Sequence, residues 1–359
     1  MAEKILMKGN EAIAHAAIRC GCDGYFGYPI TPQSEVMETL MEEKPWETTG
    51  MVVLQAESET SAINMLYGGA CCAKRVMTSS SSPGISLMSE GMSYLAGAEL
   101  PCLVVNVVRG GPGLGTIQPG QGDYFQAVKG GGHGDYKNIV LAPSSPQEMY
   151  NFVDKAFELA FKYRNPAMIL SDGIVGQMME TVEMGPMKPR LSNEEIIKRY
   201  PWATTGKTKE RKQNVITSLA MEAEVNERNN LRLQAKYREI ENNEVIFETI
   251  HCEDANHLMI AYGCMSRICE NAVEQARKEG IKVGLLRPIT LFPFPTKEIQ
   301  KLVPQLDTIM TVELSAGQMV EDVRLAVNGA IPVNFYGRMG GVVSSPEEVL
   351  EAFKKSILK

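Results

Sequence analysis

Four short clusters hold most of the side chains in this sequence that could do chemistry together. They are Tyr28-Pro29-Ile30-Thr31-Pro32, Gln55-Ala56-Glu57-Ser58-Glu59, Thr78 through Ser82 with Pro83-Gly84, and Arg109 with the glycine-rich stretch behind it. Between them they supply a hydroxyl, a carboxylate, a hydroxyl-rich turn and a guanidinium. Such a set suits an anionic substrate held beside a cofactor that needs one carboxylate. Arg109 can grip a substrate carboxylate through two parallel charge-assisted hydrogen bonds, a geometry that lysine does not reproduce. Thr31 can donate to a carbonyl or carboxylate oxygen. Ten of the residues between Arg109 and Asp135 are glycine, so backbone amides there can approach a ligand closely, and the loop can close over it.

Each cluster also has a purely structural reading. Thr31-Pro32 is a helix start, with threonine as cap and proline at the first helical position. Glu57 and Glu59 are first-turn acids favoured by the helix dipole. Ser79–Ser82 can be a polar turn and cap, Arg109 a surface ion-pair residue, and the glycine stretch a flexible loop. Local spacing marks the edge of a site and names no reaction.

The elements that must position these clusters are an α/β alternation. Short apolar runs, ending at Ile30, Gln55, Ser80, Val108, Ala142 and Ser171, alternate with amphipathic stretches at Gln33–Glu43, Glu59–Ala73, Ile85–Ala98 and Pro146–Tyr163. That pattern predicts one doubly wound parallel sheet over residues 1–185. All four clusters follow a strand end, which is where open α/β sheets bind ligands. Residues 186–255 are charged and poor in apolar residues except at helical spacing. They read as a connector whose 222–246 helix packs on a partner or a symmetry mate, or is a solvated linker. The alternation returns over 256–359, with helices expected at Ser266–Glu279, Gly317–Ala330 and Pro346–Ser356. This is a second, smaller α/β domain.

Composition narrows the class. The 359 residues are 44% hydrophobic and 22% charged, with no apolar run long enough for a membrane span. The N-terminal residues lack the pattern of a secretory signal, so the expected location is the cytoplasm. A formal charge of -7 offers no general field for nucleic acid. The eight cysteines form no C-x-x-C pair and the four histidines are dispersed, so no metal or iron-sulfur site is expected in this chain.

Four segments taken together resemble a known family: YPITPQSE at 28–35, QAESE at 55–59, TSSSSPGISLMSEGMSYLAGAELPCLVVNVVRGGPGLGT at 78–116, and LRPITLFPFP at 286–295. They are similar to the 2-oxoacid:ferredoxin oxidoreductases, and within them to the alpha-type subunit that carries the pyrimidine-binding domain for thiamine diphosphate. The resemblance implies that fold for the first domain and a transketolase C-terminal-like α/β domain for the second. It implies that Glu57 touches N1′ of the aminopyrimidine, where a carboxylate favours the imino tautomer that can take the C2 proton. It further implies that Thr31 and Arg109 contact the 2-oxoacid and that Pro29, Ser80 and Ser81 line the cofactor.

The same resemblance assigns what this chain lacks to its partners. Related enzymes hold the diphosphate through Mg²⁺ and a GDG motif, and no GDG triplet occurs here. A separate diphosphate-binding subunit, a gamma-type subunit and a ferredoxin-like subunit bearing iron-sulfur clusters are therefore expected. Coenzyme A and ferredoxin follow as reactants, and the chain is expected to form a hetero-oligomer, or a homodimer when isolated. Being acidic, it is not the obvious dock for an acidic ferredoxin. GGPGLGTIQPGQGDY at 110–124 looks like the branched-chain type acting on 3-methyl-2-oxobutanoate, with 2-oxoglutarate or pyruvate as alternative substrates. The remaining alternatives are a β-type component of a lipoamide-dependent 2-oxoacid dehydrogenase and a non-catalytic interaction subunit.

Overall fold

A computed structural model describes residues 3–207, 209 and 211–358. The chain opens with β1 (Glu3–Lys8), α1 (Gly9–Arg19), β2 (Gly24–Gly27), α2 (Ser34–Glu43), α3 (Pro45–Thr48), β3 (Val52–Gln55), α4 (Glu59–Cys71), β4 (Val76–Ser80), α5 (Ser82–Gly97) and β5 (Cys102–Val108). It continues through α6 (Tyr124–Val128), β6 (Ile139–Leu141), α7 (Pro146–Tyr163), β7 (Pro166–Asp172), α8 (Gly173–Gln177) and β8 (Met179–Met184). Next come α9 (Asn193–Arg199), α10 (Ala223–Asn243), β9 (Phe247–Ile250), β10 (His257–Ile260), α11 (Gly263–Lys278), β11 (Val283–Pro288) and β12 (Thr290–Phe292). The last elements are α12 (Thr296–Leu302), β13 (Thr308–Glu313), α13 (Met319–Val327), β14 (Val333–Gly337) and α14 (Pro346–Ile357).

The first sheet has the order β12-β6-β7-β5-β4-β2-β3, parallel except for β12. Its central strands β4, β5 and β7 are buried along their whole length, which is why they read as unbroken apolar runs rather than alternating ones. The second sheet has the order β14-β13-β10-β11-β9, with β9 antiparallel at the edge. Helix starts follow the caps. Ser145 and Ser345 each accept a hydrogen bond from the amide three residues on and are each followed by proline. Helix α5 begins at Ser82, three residues earlier than Ile85, because Pro83 fits the first turn, where its missing N–H is no loss.

Four strands lie outside the βα alternation expected from the sequence. β1 and β8 form a separate antiparallel pair. β9, within the 186–255 stretch, pairs with β11 of the second sheet. β12, from LRPITLFPFP, crosses back to pair with β6 of the first sheet. The boundaries read at 185 and 255 are thus bridged by backbone pairing in both directions. Arg287 strengthens the crossing: it is buried and its guanidinium meets Glu148 of α7 and, at 3.0 Å, Glu248 of β9.

The connector helix α10 packs on its own chain. Leu233, Tyr237 and Ile240 are buried, and Arg232 and Lys236 reach Glu99 at 2.8 and 3.2 Å. Burial drives the Lys236 ammonium down to about 8, against the pull of Glu99. Among the described residues, no helix is long and apolar enough to cross a membrane.

Candidate active site

Strands β2 and β4 are neighbours in the first sheet, and the chain leaves them in opposite directions, to β3 on one side and β5 on the other. Their carboxyl ends therefore form a topological switch point, the position at which open α/β sheets bind ligands. Tyr28 through Thr31 emerge from β2, Ser80 ends β4, and Ser81 follows it as the cap position of α5. Tyr25 and Ser79 bridge the two strands below, with hydroxyl oxygens 2.8 Å apart, and the Ser79 hydroxyl donates to Gln33 Oε1 at 2.5 Å. Glu57 and Glu59 follow β3, and Arg109 follows β5, so all four sequence clusters come to one edge.

The two acids differ. Glu57 is exposed and accepts a 3.2 Å hydrogen bond from the Ser61 hydroxyl on the first turn of α4. Ser58 caps that helix by accepting from the Ser61 amide, which makes Glu59 the first helical residue and turns it inward, to 6% exposure. Among the described residues its carboxylate accepts no hydrogen bond. It lies against Gly84 of α5: a Cβ there would stand 2.6 Å from Glu59 Oε1 and 2.0 Å from Ser80 Oγ. The Ser80 and Ser81 hydroxyls are both buried without a partner. A buried carboxylate and two buried hydroxyls left without protein partners are expensive unless something else satisfies them.

Pro29 and Thr31 are exposed at the same edge. Thr31 joins Pro32 through a cis peptide bond and does not cap α2, whose cap position is Gln33. The Pro32 carbonyl accepts from Asn10 Nδ2 at 2.7 Å and Gln177 Nε2 at 3.0 Å, which fixes the turn that presents Thr31. The same two amides, with Lys8, hold Glu35. Burial opposes ionisation of Glu35, but hydrogen bonds from Gln177, its own backbone, Lys8 and Asn10 outweigh it and hold the carboxyl below the usual range. The sequence reading gave these supporting residues no role, because they come from β1, α1 and α8.

Arg109 spans the crevice. Nη1 donates to the Thr31 carbonyl at 3.1 Å, Nη2 to the Leu114 carbonyl at 3.2 Å, and Nε is buried without a partner. No carboxylate of the described residues pairs with it, so its charge is uncompensated. This separates it from a surface ion-pair residue. The loop behind it doubles back: Arg109 bridges Pro119, and Gly110 N donates to the Gln118 carbonyl at 2.8 Å. Residues 111–115 are exposed, whereas Asp123 is tied to Asn106 of β5 at 2.9 Å. Burial raises the Asp123 carboxyl above its ordinary value, against hydrogen bonds from Asn106 and Ser82.

Comparison with known proteins gives the family. The family described as pyruvate flavodoxin/ferredoxin oxidoreductase, thiamine diphosphate-binding, matches residues 15–247. Core domain II of pyruvate:ferredoxin oxidoreductase matches residues 255–349. The ketoisovalerate oxidoreductase subunit VorB of Methanothermobacter thermautotrophicus is 50% identical over 353 residues, covering 98% of this chain and 97% of that one. The 2-oxoglutarate synthase subunit KorA of Archaeoglobus fulgidus is 35% identical over 354 residues, covering 97% and 98%. A solved structure of 2-oxoglutarate:ferredoxin oxidoreductase from Magnetococcus marinus, with 2-oxoglutarate, coenzyme A and succinyl-CoA bound, superposes with a TM-score of 0.84 at 26% identity. That superposition spans 99% of this chain and 66% of the other.

Proposed function

This chain belongs to the pyruvate flavodoxin/ferredoxin oxidoreductase family, and from that premise we propose that it serves a complex acting on 3-methyl-2-oxobutanoate (ketoisovalerate). The reaction is oxidative decarboxylation to an acyl-CoA and CO₂, with ferredoxin as electron acceptor. The substrate rests on 50% identity with a ketoisovalerate relative against 35% with a 2-oxoglutarate relative over nearly equal spans. The observation that carries the site is the switch point, where the unpartnered Ser80 and Ser81 hydroxyls and the buried Glu59 lie beside a guanidinium that lacks a carboxylate partner.

The residues at that edge fit the aminopyrimidine half of thiamine diphosphate. A flat ring bearing nitrogens and an amino group satisfies a buried carboxylate and two orphaned hydroxyls, and Gly84 leaves the carboxylate room to lie against α5. When bound, the cofactor supplies the nucleophilic carbon for the keto group and accommodates the electrons left when CO₂ departs. We assign the contact with ring N1′ to Glu59 rather than to the Glu57 expected from the sequence. Glu59 is buried and accepts no hydrogen bond from the described residues, whereas Glu57 is exposed and already accepts one from Ser61. Ser80, Ser81 and Pro29 would line the ring.

Arg109 would bind the substrate carboxylate through its guanidinium, exchanging backbone carbonyls for a charged acceptor. Thr31 would donate its hydroxyl to the keto or carboxylate oxygen. The diphosphate with its Mg²⁺, and the iron-sulfur clusters, fall to the diphosphate-binding, gamma-type and ferredoxin-like subunits, which complete the site from the open side. Dependence on coenzyme A and ferredoxin favours a cytoplasmic setting.

The test is anaerobic co-purification of the chain with its partners, followed by viologen reduction with coenzyme A and a panel of 2-oxoacids. Thiamine-dependent activity strongest with 3-methyl-2-oxobutanoate is expected. Preference for 2-oxoglutarate or pyruvate would reject the substrate, and activity independent of added thiamine diphosphate after its removal would reject the site.

A further inference from the structure

The second sheet has a switch point of its own, between β10 and β13, since the chain leaves β10 for β11 on one side and returns to β13 on the other. In an open α/β sheet that crevice is the usual ligand site. Here it is filled from within. Gln121, at the far end of the Arg109 loop and 2% exposed, enters it with every polar group engaged. Its amide N donates to the Leu314 carbonyl at 2.8 Å, and its Oε1 accepts from the Leu314 amide at 3.0 Å. Its Nε2 donates to the Tyr262 carbonyl at 2.9 Å, and its own carbonyl receives the Tyr262 hydroxyl at 3.4 Å. Leu314 follows β13 and Tyr262 caps α11, so one side chain closes both lips of the crevice. Gly263 is the residue that admits it. With φ at +57°, a Cβ there would stand 3.1 Å from Gln121 Nε2 and 3.3 Å from Asp172 Oδ2.

The plug is mechanically close to Arg109. Pro119, two residues before Gln121, pairs back onto Arg109, and Gly120 packs against the Arg109 backbone, to which a Cβ would come within 3.2 Å. Beyond Gln121 the loop is tied again, by Gln318 Nε2 to the Gly122 carbonyl and Phe125 N to Gln318 Oε1, each at 2.7 Å, and by the Tyr124 hydroxyl to Asp322 at 2.6 Å. The exposed 111–115 arc is therefore suspended between β5 and a fixed point on the second sheet.

The geometry points to Gln121 as a positioning residue for the 2-oxoacid. By occupying the second sheet's switch point it sets the register in which Arg109 meets the substrate carboxylate. The role of this sheet is to hold the Arg109 loop, and its crevice takes no small ligand. This rests on the reading of Arg109 as the carboxylate's partner. A contact shared by ground and transition states shifts KM rather than kcat when it is disturbed.

The experiment compares Gln121→Leu, Gly263→Ala and Arg109→Lys in the assembled complex. The first two should raise KM for 3-methyl-2-oxobutanoate by about tenfold or more while kcat stays within about threefold. Hydrogen exchange of amides 110–121 should speed up in both, and in the unaltered complex the Gln121 and Leu314 amides should be among the slowly exchanging ones. If Gln121→Leu does not assemble, Gly263→Ala is read by the same two numbers, because it pushes the same amide from the opposite side. A KM within about twofold of the parent, a loss confined to kcat, or fast exchange of the Gln121 and Leu314 amides in the parent would overturn the proposal. Should Arg109→Lys also leave KM unchanged, the substrate reading of Arg109 itself fails. A raised KM in Arg109→Lys alone sinks only the role of Gln121.

Discussion

The two sheets end in the same kind of crevice and treat it in opposite ways. At the β2/β4 switch point buried polar groups lack partners: the Ser80 and Ser81 hydroxyls have none, Glu59 is buried and accepts no hydrogen bond from the described residues, and Arg109 is met only by neutral carbonyls. At the β10/β13 switch point every polar group of Gln121 is paired, and Asp172 accepts from the amide of Cys264 at 3.3 Å. Buried polar groups are satisfied in folded proteins unless a site needs them free. We read the contrast as marking the β2/β4 edge for a ligand and the Gln121 joint as scaffold. Burial pushes the Asp172 carboxyl up, partly offset by hydrogen bonds from Cys264, Val175 and Ile174, as expected of a packed joint.

The comparison breaks most visibly at Glu59. Glu59→Gln keeps shape and removes the charge, and should lower thiamine-dependent turnover by about a thousandfold, whereas Glu57→Gln should change it by less than about threefold. Reversed results would return the role to Glu57. Arg109→Lys comes next: it keeps the charge and loses the fork, and should raise KM for the 2-oxoacid by about 10- to 100-fold, measured by viologen reduction.

A smaller effect sharpens the support beneath Thr31. Because Glu35 has a lowered folded-state pKa, the stability it contributes is present above the unfolded glutamate value of about 4.3 and lost as pH falls through the folded value. The difference in Tm between the parent and Glu35→Gln should therefore be widest near neutral pH, shrink as pH falls below the unfolded value, and vanish once the folded carboxyl is protonated. A difference independent of pH would mean that packing, not charge, holds that turn.

Much of this was legible in the sequence because parallel strands buried on both faces leave continuous apolar runs. β4, β5 and β7 announced themselves that way, and with them the positions of Ser80 and Arg109. The antiparallel strands β1, β8, β9 and β12 did not, since each pairs at a sheet edge or outside both main sheets. The choice between Glu57 and Glu59 was hidden for a different reason. They lie two and four residues past β3, and only the turn at Ser58, where the chain changes from strand to helix, decides which one points inward. Gln121 was out of reach altogether: its partners Tyr262 and Leu314 lie 141 and 193 residues away, and nothing near it in sequence distinguishes it from Gln118 or Gln126. Resemblance named the family; burial and pairing are what the proposed roles of Glu59 and Gln121 rest on.

The most direct measurement is the rate of hydrogen–deuterium exchange at C2 of thiamine diphosphate in the assembled complex, followed by NMR for the parent, Glu59→Gln and Glu57→Gln. The account predicts exchange slowed by about a thousandfold in Glu59→Gln and near the parent rate in Glu57→Gln. Parent-like exchange in Glu59→Gln, with the cofactor bound, would contradict the assignment of this chain's open edge as the half of the site that activates the cofactor.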